Sequence, residues 1–233
     1  MIVWVLLLSE IFILLITSRY IFQSLFFIIF GITHNQKFSF MILSGIFFPG
    51  TVLHELSHLI VAELLRVRTH GVEFTPEYKN GNLKMGSVSM QQSDPMRSLL
   101  IGAAPLLVGV SVLLGIIWVL LSTQTVHQTF SSWYAFFVTA ATIYIVFVIS
   151  NTMFSSKKDM DHAWIVLVFF VAFILILYLL GLNPQNLAYD LFSQNFLINS
   201  AWKVVSLLSI PILINLAVLF VAHFIGKKTV HKY

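Results

Sequence analysis

Cysteine is absent from this 233-residue sequence, and charged residues make up only 9% of it. Without cysteine the chain can form neither disulfide bonds nor thiolate metal sites, so a metal ion would be held by His, Asp, Glu or Asn. An average soluble domain is about 25% charged and about 45–50% apolar, whereas this chain is 58% hydrophobic. The composition therefore predicts an integral membrane protein whose surroundings are the lipid bilayer, with no separate soluble domain.

Six apolar segments of roughly spanning length follow one another along the chain. The hydrocarbon core of a bilayer is about 30 Å thick and requires about 20 apolar residues of helix. The segments lie at residues 2–30, 38–65, 98–121, 133–153, 163–180 and 204–225. We therefore predict an all-α polytopic membrane protein of about six transmembrane helices, which form one membrane-embedded domain over residues 1–233. The first segment follows no basic region and precedes no small-residue cleavage site, so we expect a retained helix.

Basic residues are distributed unevenly between the two sides of such a bundle. If the six segments alternate across the membrane, one side holds only Lys37 and Lys203. The other side holds Arg66, Arg68, Lys79, Lys84, Arg97, Lys157, Lys158, Lys227, Lys228 and Lys232. By the positive-inside rule, both termini and the loops after the second and fourth segments are expected in the cytoplasm. Topology thus accounts for the net charge of +4, and no nucleic-acid partner is expected. The Phe- and Ile-rich composition favours a bacterial cell membrane.

An H-E-x-x-H motif, formed by His54, Glu55 and His58, lies inside the second apolar segment. Residues four apart share one face of a helix, so the two imidazoles can bind one metal ion while Glu55 borders the same site. Imidazole and carboxylate groups are costly in hydrocarbon, and those found there usually face a cavity and perform chemistry. The motif therefore predicts a hydrolytic site with one zinc ion per chain, bordered by Glu55.

Two local signals flank the motif. Pro49, which precedes the motif, removes a backbone hydrogen bond from its helix, which predicts a kink or a helix restart with Thr51 as the new N-cap.

After the motif, Asn80 and Gly81 stand between two segments of alternating apolar and polar residues, and Asn-Gly in that position is a strong signal for a β-hairpin. We therefore expect a short cytoplasmic β-hairpin directly after the metal-binding helix. A compact interhelical loop without strands is the alternative.

A catalytic zinc ion normally takes three protein ligands and keeps a fourth position for water. The end of the fourth segment gathers polar residues on the same side of the membrane as the loop after His58. A ligand from there reaches the depth of the motif only if the chain unwinds or folds back, which is tolerated where the backbone lines a water-filled cavity. The candidates for the third ligand are Asp159, Asp161 and His162.

These residues resemble the site-2 protease family of intramembrane zinc metalloproteases. In that family an aspartate two spans after the HExxH helix follows a membrane-embedded asparagine by eight positions, and Asn151 and Asp159 have this spacing. The Gly-Ala-Ala-Pro sequence at 102–105 is similar to a patch of small residues, glycine and proline on the family's intervening helix. The resemblance covers about residues 47–162. It departs from the family where Lys158 replaces a leucine, where a proline is missing before Asp159 and where no glycine follows it.

The resemblance implies a zinc metalloendopeptidase that cuts within or near transmembrane segments of membrane-tethered regulatory proteins or signal-peptide remnants. It implies His54, His58 and Asp159 as zinc ligands, and a catalytic core at about 38–162 between flanking helices. Glu55 would take a proton from the attacking water and hand it to the leaving amine. Asn151 would hydrogen-bond the substrate backbone or the developing oxyanion.

Two other functions use the same motif. A membrane sensor or transporter could bind zinc through the same ligands without hydrolysis, and it would have no need of Glu55 as a base. Membrane HExxH proteases that process prenylated peptides take a downstream glutamate as the third ligand, but the sequence has no glutamate after Glu77. Their pattern therefore fits this chain poorly, and the sensor or transporter is the main alternative.

Overall fold

The structure is a computed structural model that describes residues 2–74, 77–79, 82–84, 86–91, 93–122, 133–154 and 194–230. Within these ranges the chain is mostly helical. Its helices are α1 (Ile2–Thr33), α2 (Gln36–Leu64), α3 (Pro95–Ser122), α4 (Trp133–Thr152) and α5 (Gln194–Val230). Four short strands lie between α2 and α3, namely β1 (Thr69–Glu73), β2 (Glu77–Lys79), β3 (Asn82–Lys84) and β4 (Ser87–Met90).

Four of the described helices are long and apolar enough to cross a membrane. These candidate spans are Leu6–Thr33, Gln36–Leu64, Pro95–Val119 and Trp202–Ile225. The fourth predicted segment forms the shorter apolar helix Phe136–Thr152, and the fifth, at 163–180, lies outside the described residues. The helices are those of a membrane protein, as the composition predicts, but the described residues provide four candidate spans and not the predicted six.

The predicted β-hairpin is present. β2 pairs antiparallel with β3, and Lys79 stands opposite Asn82, so the two strands flank the Asn-Gly sequence at 80–81. That dipeptide itself lies outside the described residues. β1 pairs antiparallel with β4, with an irregularity of register between Thr69 and Gly71. The interhelical segment therefore contains two separate antiparallel strand pairs, and the alternative of a loop without strands is wrong.

Helix α2 runs without interruption through Pro49, and the predicted restart at that residue is wrong. The Thr51 hydroxyl donates to the Phe47 carbonyl, four residues earlier, as a hydroxyl within a helix does. The N-cap of α2 is Asn35, whose side chain accepts from the Phe38 amide. The motif is thus presented by one continuous helix rather than by a helix start.

The C-terminal end of α2 closes in a Schellman motif. The Arg66 amide donates to the Glu63 carbonyl and the Val67 amide donates to the Ala62 carbonyl, which satisfies carbonyls that the helix would otherwise leave open. Arg66 adopts the left-handed conformation that glycine usually supplies at this position, with φ of 56°. This reversal turns the chain directly into the strands, so that β1 and β4 contact α2.

Close contact between α2 and α4 is made at a glycine. A Cβ atom on Gly50 would clash with Thr152 and would lie 2.7 Å from Val148 Cγ1. The Tyr144 hydroxyl of α4 donates to the Ile46 carbonyl of α2 at 2.6 Å. Since His54 follows Gly50 by four residues, the end of α4 is held about one helical turn, or about 6 Å along the axis, from the motif.

Candidate metal centre

The H-E-x-x-H motif lies on the buried face of α2. His54 is 5% exposed, and Glu55 and His58 are each 7% exposed. The ring centroids of His54 and His58 are 4.9 Å apart, and the ring planes meet at 84°. The spacing of four residues therefore brings two imidazoles side by side in the protein interior, which is the arrangement the motif predicts.

The orientation of the His58 ring is set by a backbone carbonyl of α3. Nδ1 of His58 lies 2.8 Å from the carbonyl oxygen of Ile101. A carbonyl oxygen can only accept a hydrogen bond, so Nδ1 is the donor in this contact, and in the neutral ring Nε2 then carries the lone pair. Histidines that bind metal ions usually donate their other ring N–H to a carbonyl or a carboxylate in this way. Imidazole nitrogens are among the ligands that zinc prefers, so His54 and His58 have the chemistry of two of its ligands.

Glu55 packs against the segment that leads into β4. A Cβ atom on Gly86 would lie 2.8 Å from Glu55 Cγ and 2.9 Å from Glu55 Oε1, so only a residue without a side chain fits there unchanged. The close approach of a backbone segment to the carboxylate restricts the positions that Glu55 can take. The backbone at Gly86, directly before β4, thus lies against the candidate general base.

If Glu55 acts as the general base of a hydrolase, replacing Gly86 with Ala should lower the rate of hydrolysis without unfolding the protein. The φ of Gly86 is accessible to alanine, and the atoms that the new methyl group meets belong to a flexible side chain, so the Glu55 carboxylate moves. A misplacement of about 1 Å can reduce catalysis about 10²-fold, and we expect a fall in kcat of about 10- to 100-fold with zinc retained. Steady-state cleavage and zinc content measure the two effects.

Gly45→Ala on α2 is the matched control for this change, because a Cβ atom there meets nothing within 4 Å. It should leave kcat near that of the unmodified protein. Equal loss in both variants, or no loss in Gly86→Ala, would show that the backbone near Gly86 does not hold the Glu55 carboxylate.

Asn151, the residue that the resemblance assigns to substrate binding, is fully buried in a polar network between helices. Its Nδ2 donates to the Phe147 carbonyl at 2.7 Å and to Asn215 Oδ1 of α5 at 2.8 Å. Asn215 Nδ2 donates back to Asn151 Oδ1 and to Thr17 Oγ1 of α1, each at 3.3 Å. Both N–H groups of the Asn151 amide thus have partners within the protein, and this network joins α4 to α1 and α5.

A double-mutant cycle on Asn151 and Asn215 should reveal a stabilising coupling of about 0.6–1.7 kcal/mol, the range from the average to the maximum for hydrogen bonds between membrane helices. The variants are Asn151→Leu, Asn215→Leu and the pair, and the readout is the free energy of unfolding in detergent. If Asn151 acts chiefly through this pair, both single variants lose activity to a similar extent. A loss confined to Asn151→Leu, without coupling in stability, would instead favour the substrate-binding role.

The predicted third ligand, Asp159, and its alternatives Asp161 and His162 lie outside the described residues. Among the residues that are described, no group of three His, Asp or Glu side chains could hold a metal ion. The helix that leads toward Asp159 ends at Thr152, and the turn after it stays in the interior, where Met153 is 4% and Phe154 is 6% exposed.

Sequence reasoning identified the motif residues but not the groups that hold them. The Ile101 carbonyl and Gly86 have no chemical signature of their own, and each comes into contact with the motif only through the packing of α3 and the strands on α2. In the sequence, Asn215 stands out only as a polar residue within the last apolar segment.

No family model, no curated protein and no solved structure matches this chain.

Proposed function

We propose that this protein is an intramembrane zinc metalloendopeptidase of the site-2 protease type. It would hydrolyse peptide bonds within or near transmembrane segments of membrane-tethered regulatory proteins or signal-peptide remnants, a substrate class that comes from the family resemblance alone. The observation that carries the proposal is the burial of His54, Glu55 and His58 on one face of a helix long and apolar enough to span a membrane. Ionisable groups in such a helix are costly and are typically functional.

The roles of the residues follow from their chemistry and positions. His54 and His58 would hold the metal ion with Asp159 as the third ligand. Zinc, when bound, supplies the Lewis acidity that polarises the scissile carbonyl and lowers the pKa of a water molecule toward about 7. Glu55 takes the proton of the attacking water and later delivers it to the leaving amine. The contact with Gly86 supports this role because it limits how far the carboxylate can turn away.

The strands beside the motif support a mode of substrate binding. Peptide bonds in a helix are internally hydrogen-bonded, so the substrate must unwind locally before cleavage. β1 and β4 pair only with each other among the described strands, and an extended peptide can pair with an open strand edge. β4 begins one residue after Gly86, which touches Glu55. A peptide added along β4 would therefore run toward the general base.

The proposed orientation places both termini and the strands in the cytoplasm, with the site open toward that side. It rests on the uneven distribution of Lys and Arg. The arrangement requires six crossings, and it therefore adds α4 and residues 163–180 to the four candidate spans.

The test uses the full chain purified in detergent. Zinc is measured by elemental mass spectrometry, and cleavage of a reporter with a single apolar span is located by mass spectrometry of the products. We expect one zinc ion per chain and cleavage within or near the span, inhibited by a chelator and restored by zinc. Zinc bound without cleavage would favour a sensor or transporter, and a chain that binds no zinc would overturn both functions.

A further inference from the structure

Helix α3 contains a proline whose position has a direct consequence for the metal centre. In an α-helix the amide of each residue donates to the carbonyl four residues earlier, and proline has no amide hydrogen. Pro105 lies inside α3, and the carbonyl four residues before it belongs to Ile101. The helix therefore makes no hydrogen bond from position 105 to the Ile101 carbonyl.

The Ile101 carbonyl is the group that accepts from His58 Nδ1, at 2.8 Å. Ile101 is 2% exposed and packs with Ala62 of α2 and with Val67, which follows the end of that helix. Residues 102–104 are small and buried, so the backbone of α3 can approach α2 closely at this point. Within this interface, the carbonyl that the proline leaves open is the one that meets the imidazole.

We propose that Pro105 is a positioning residue for the metal centre, because it leaves the Ile101 carbonyl open to accept from His58 Nδ1–H and so aims Nε2 of His58 at the metal ion. This inference rests on the proposed function for its zinc ion. The orientation of His58 itself requires only the contact between α2 and α3. An N–H at position 105 would compete for the Ile101 carbonyl oxygen and weaken its hydrogen bond with the His58 ring.

The experiment compares Pro105→Ala with Pro211→Ala. Both prolines are buried inside helices. Pro211, in α5, is the matched control because its replacement gives the same gain in helix propensity away from the Ile101 carbonyl. Zinc affinity is measured by competition with a chromophoric chelator. We expect the Kd to rise several-fold in Pro105→Ala, toward the about 10- to 100-fold that complete loss of a metal-binding histidine's partner costs, and to stay within about twofold in Pro211→Ala.

A second readout needs neither zinc nor activity. Nitrogen-15 NMR of the metal-free protein at about pH 8.5, where an ordinary imidazole is neutral, identifies the protonated nitrogen of His58. We expect Nδ1–H in the unmodified protein and a mixture of tautomers in Pro105→Ala. An Nε2–H tautomer in the unmodified protein overturns the inference without any variant, and so do an unchanged Kd and tautomer in Pro105→Ala. The expected tautomers in a chain that binds no zinc would support the orientation of His58 and overturn the proposed function alone.

Discussion

Replacing Glu55 with Gln is expected to abolish peptide hydrolysis while zinc stays bound. Glutamine has the same shape and fits the same space beside Gly86, but its amide cannot take a proton from water. A general acid–base group typically contributes about 10²- to 10⁴-fold to the rate, and we expect a loss of that size in kcat. The ligands His54 and His58 are unchanged, so zinc content should stay at one ion per chain.

The measurement is cleavage of the single-span reporter together with zinc content, both on the same preparation. Glu63→Gln is the matched control, because Glu63 lies on the same helix, is exposed and is outside the motif. It should leave both quantities unchanged. Proteolysis at the original rate in Glu55→Gln would exclude the mechanism in which this carboxylate moves the proton.

The helices were predictable because each one is a long apolar run, and a run of that length has few alternatives in a membrane protein. The strands β2 and β3 were predictable because an Asn-Gly sequence between alternating residues specifies a tight turn. The end of α2 was not predictable in detail, since Arg66 occupies the left-handed position that glycine normally marks. The sequence has no glycine at this position. The residues on either side of the helix end, Ala62 and Val67, instead pack in a buried cluster.

The metal centre also has features that the sequence predicts and features that it does not. The helical period alone places His54 and His58 on one face, because a spacing of four residues is a property of the helix. The partners of these side chains depend on how distant segments pack, since the Ile101 carbonyl is 43 residues from His58 in sequence. Pro105 shows that part of this information is present locally, because a proline identifies which carbonyl its helix leaves open. The position of the proline does not predict which side chain donates to that carbonyl.

The structure around Thr152 supports one condition of the predicted third ligand. A ligand from the fourth segment requires that the helix end within the protein, and α4 ends at Thr152, with Met153 and Phe154 buried in a turn. Met153 packs on Gly109 of α3, and Thr152 packs on Gly50 of α2. The helix therefore ends between α2 and α3, about one turn along α2 from His54.

Replacing Asp159 with Ala is therefore expected to remove zinc, whereas Asp161→Ala should retain it. From Thr152, seven residues of extended chain span at most about 25 Å, so Asp159 is within reach of a site one helical turn from Gly50. Three ligands are the normal minimum for a catalytic zinc ion, and His54 and His58 alone should hold it too weakly to survive purification. Elemental analysis of both variants, with His58→Ala as the reference for a lost ligand, measures the effect. Loss of zinc in Asp161→Ala alone would move the third ligand to Asp161 and would remove the eight-residue spacing from Asn151 on which the family resemblance depends.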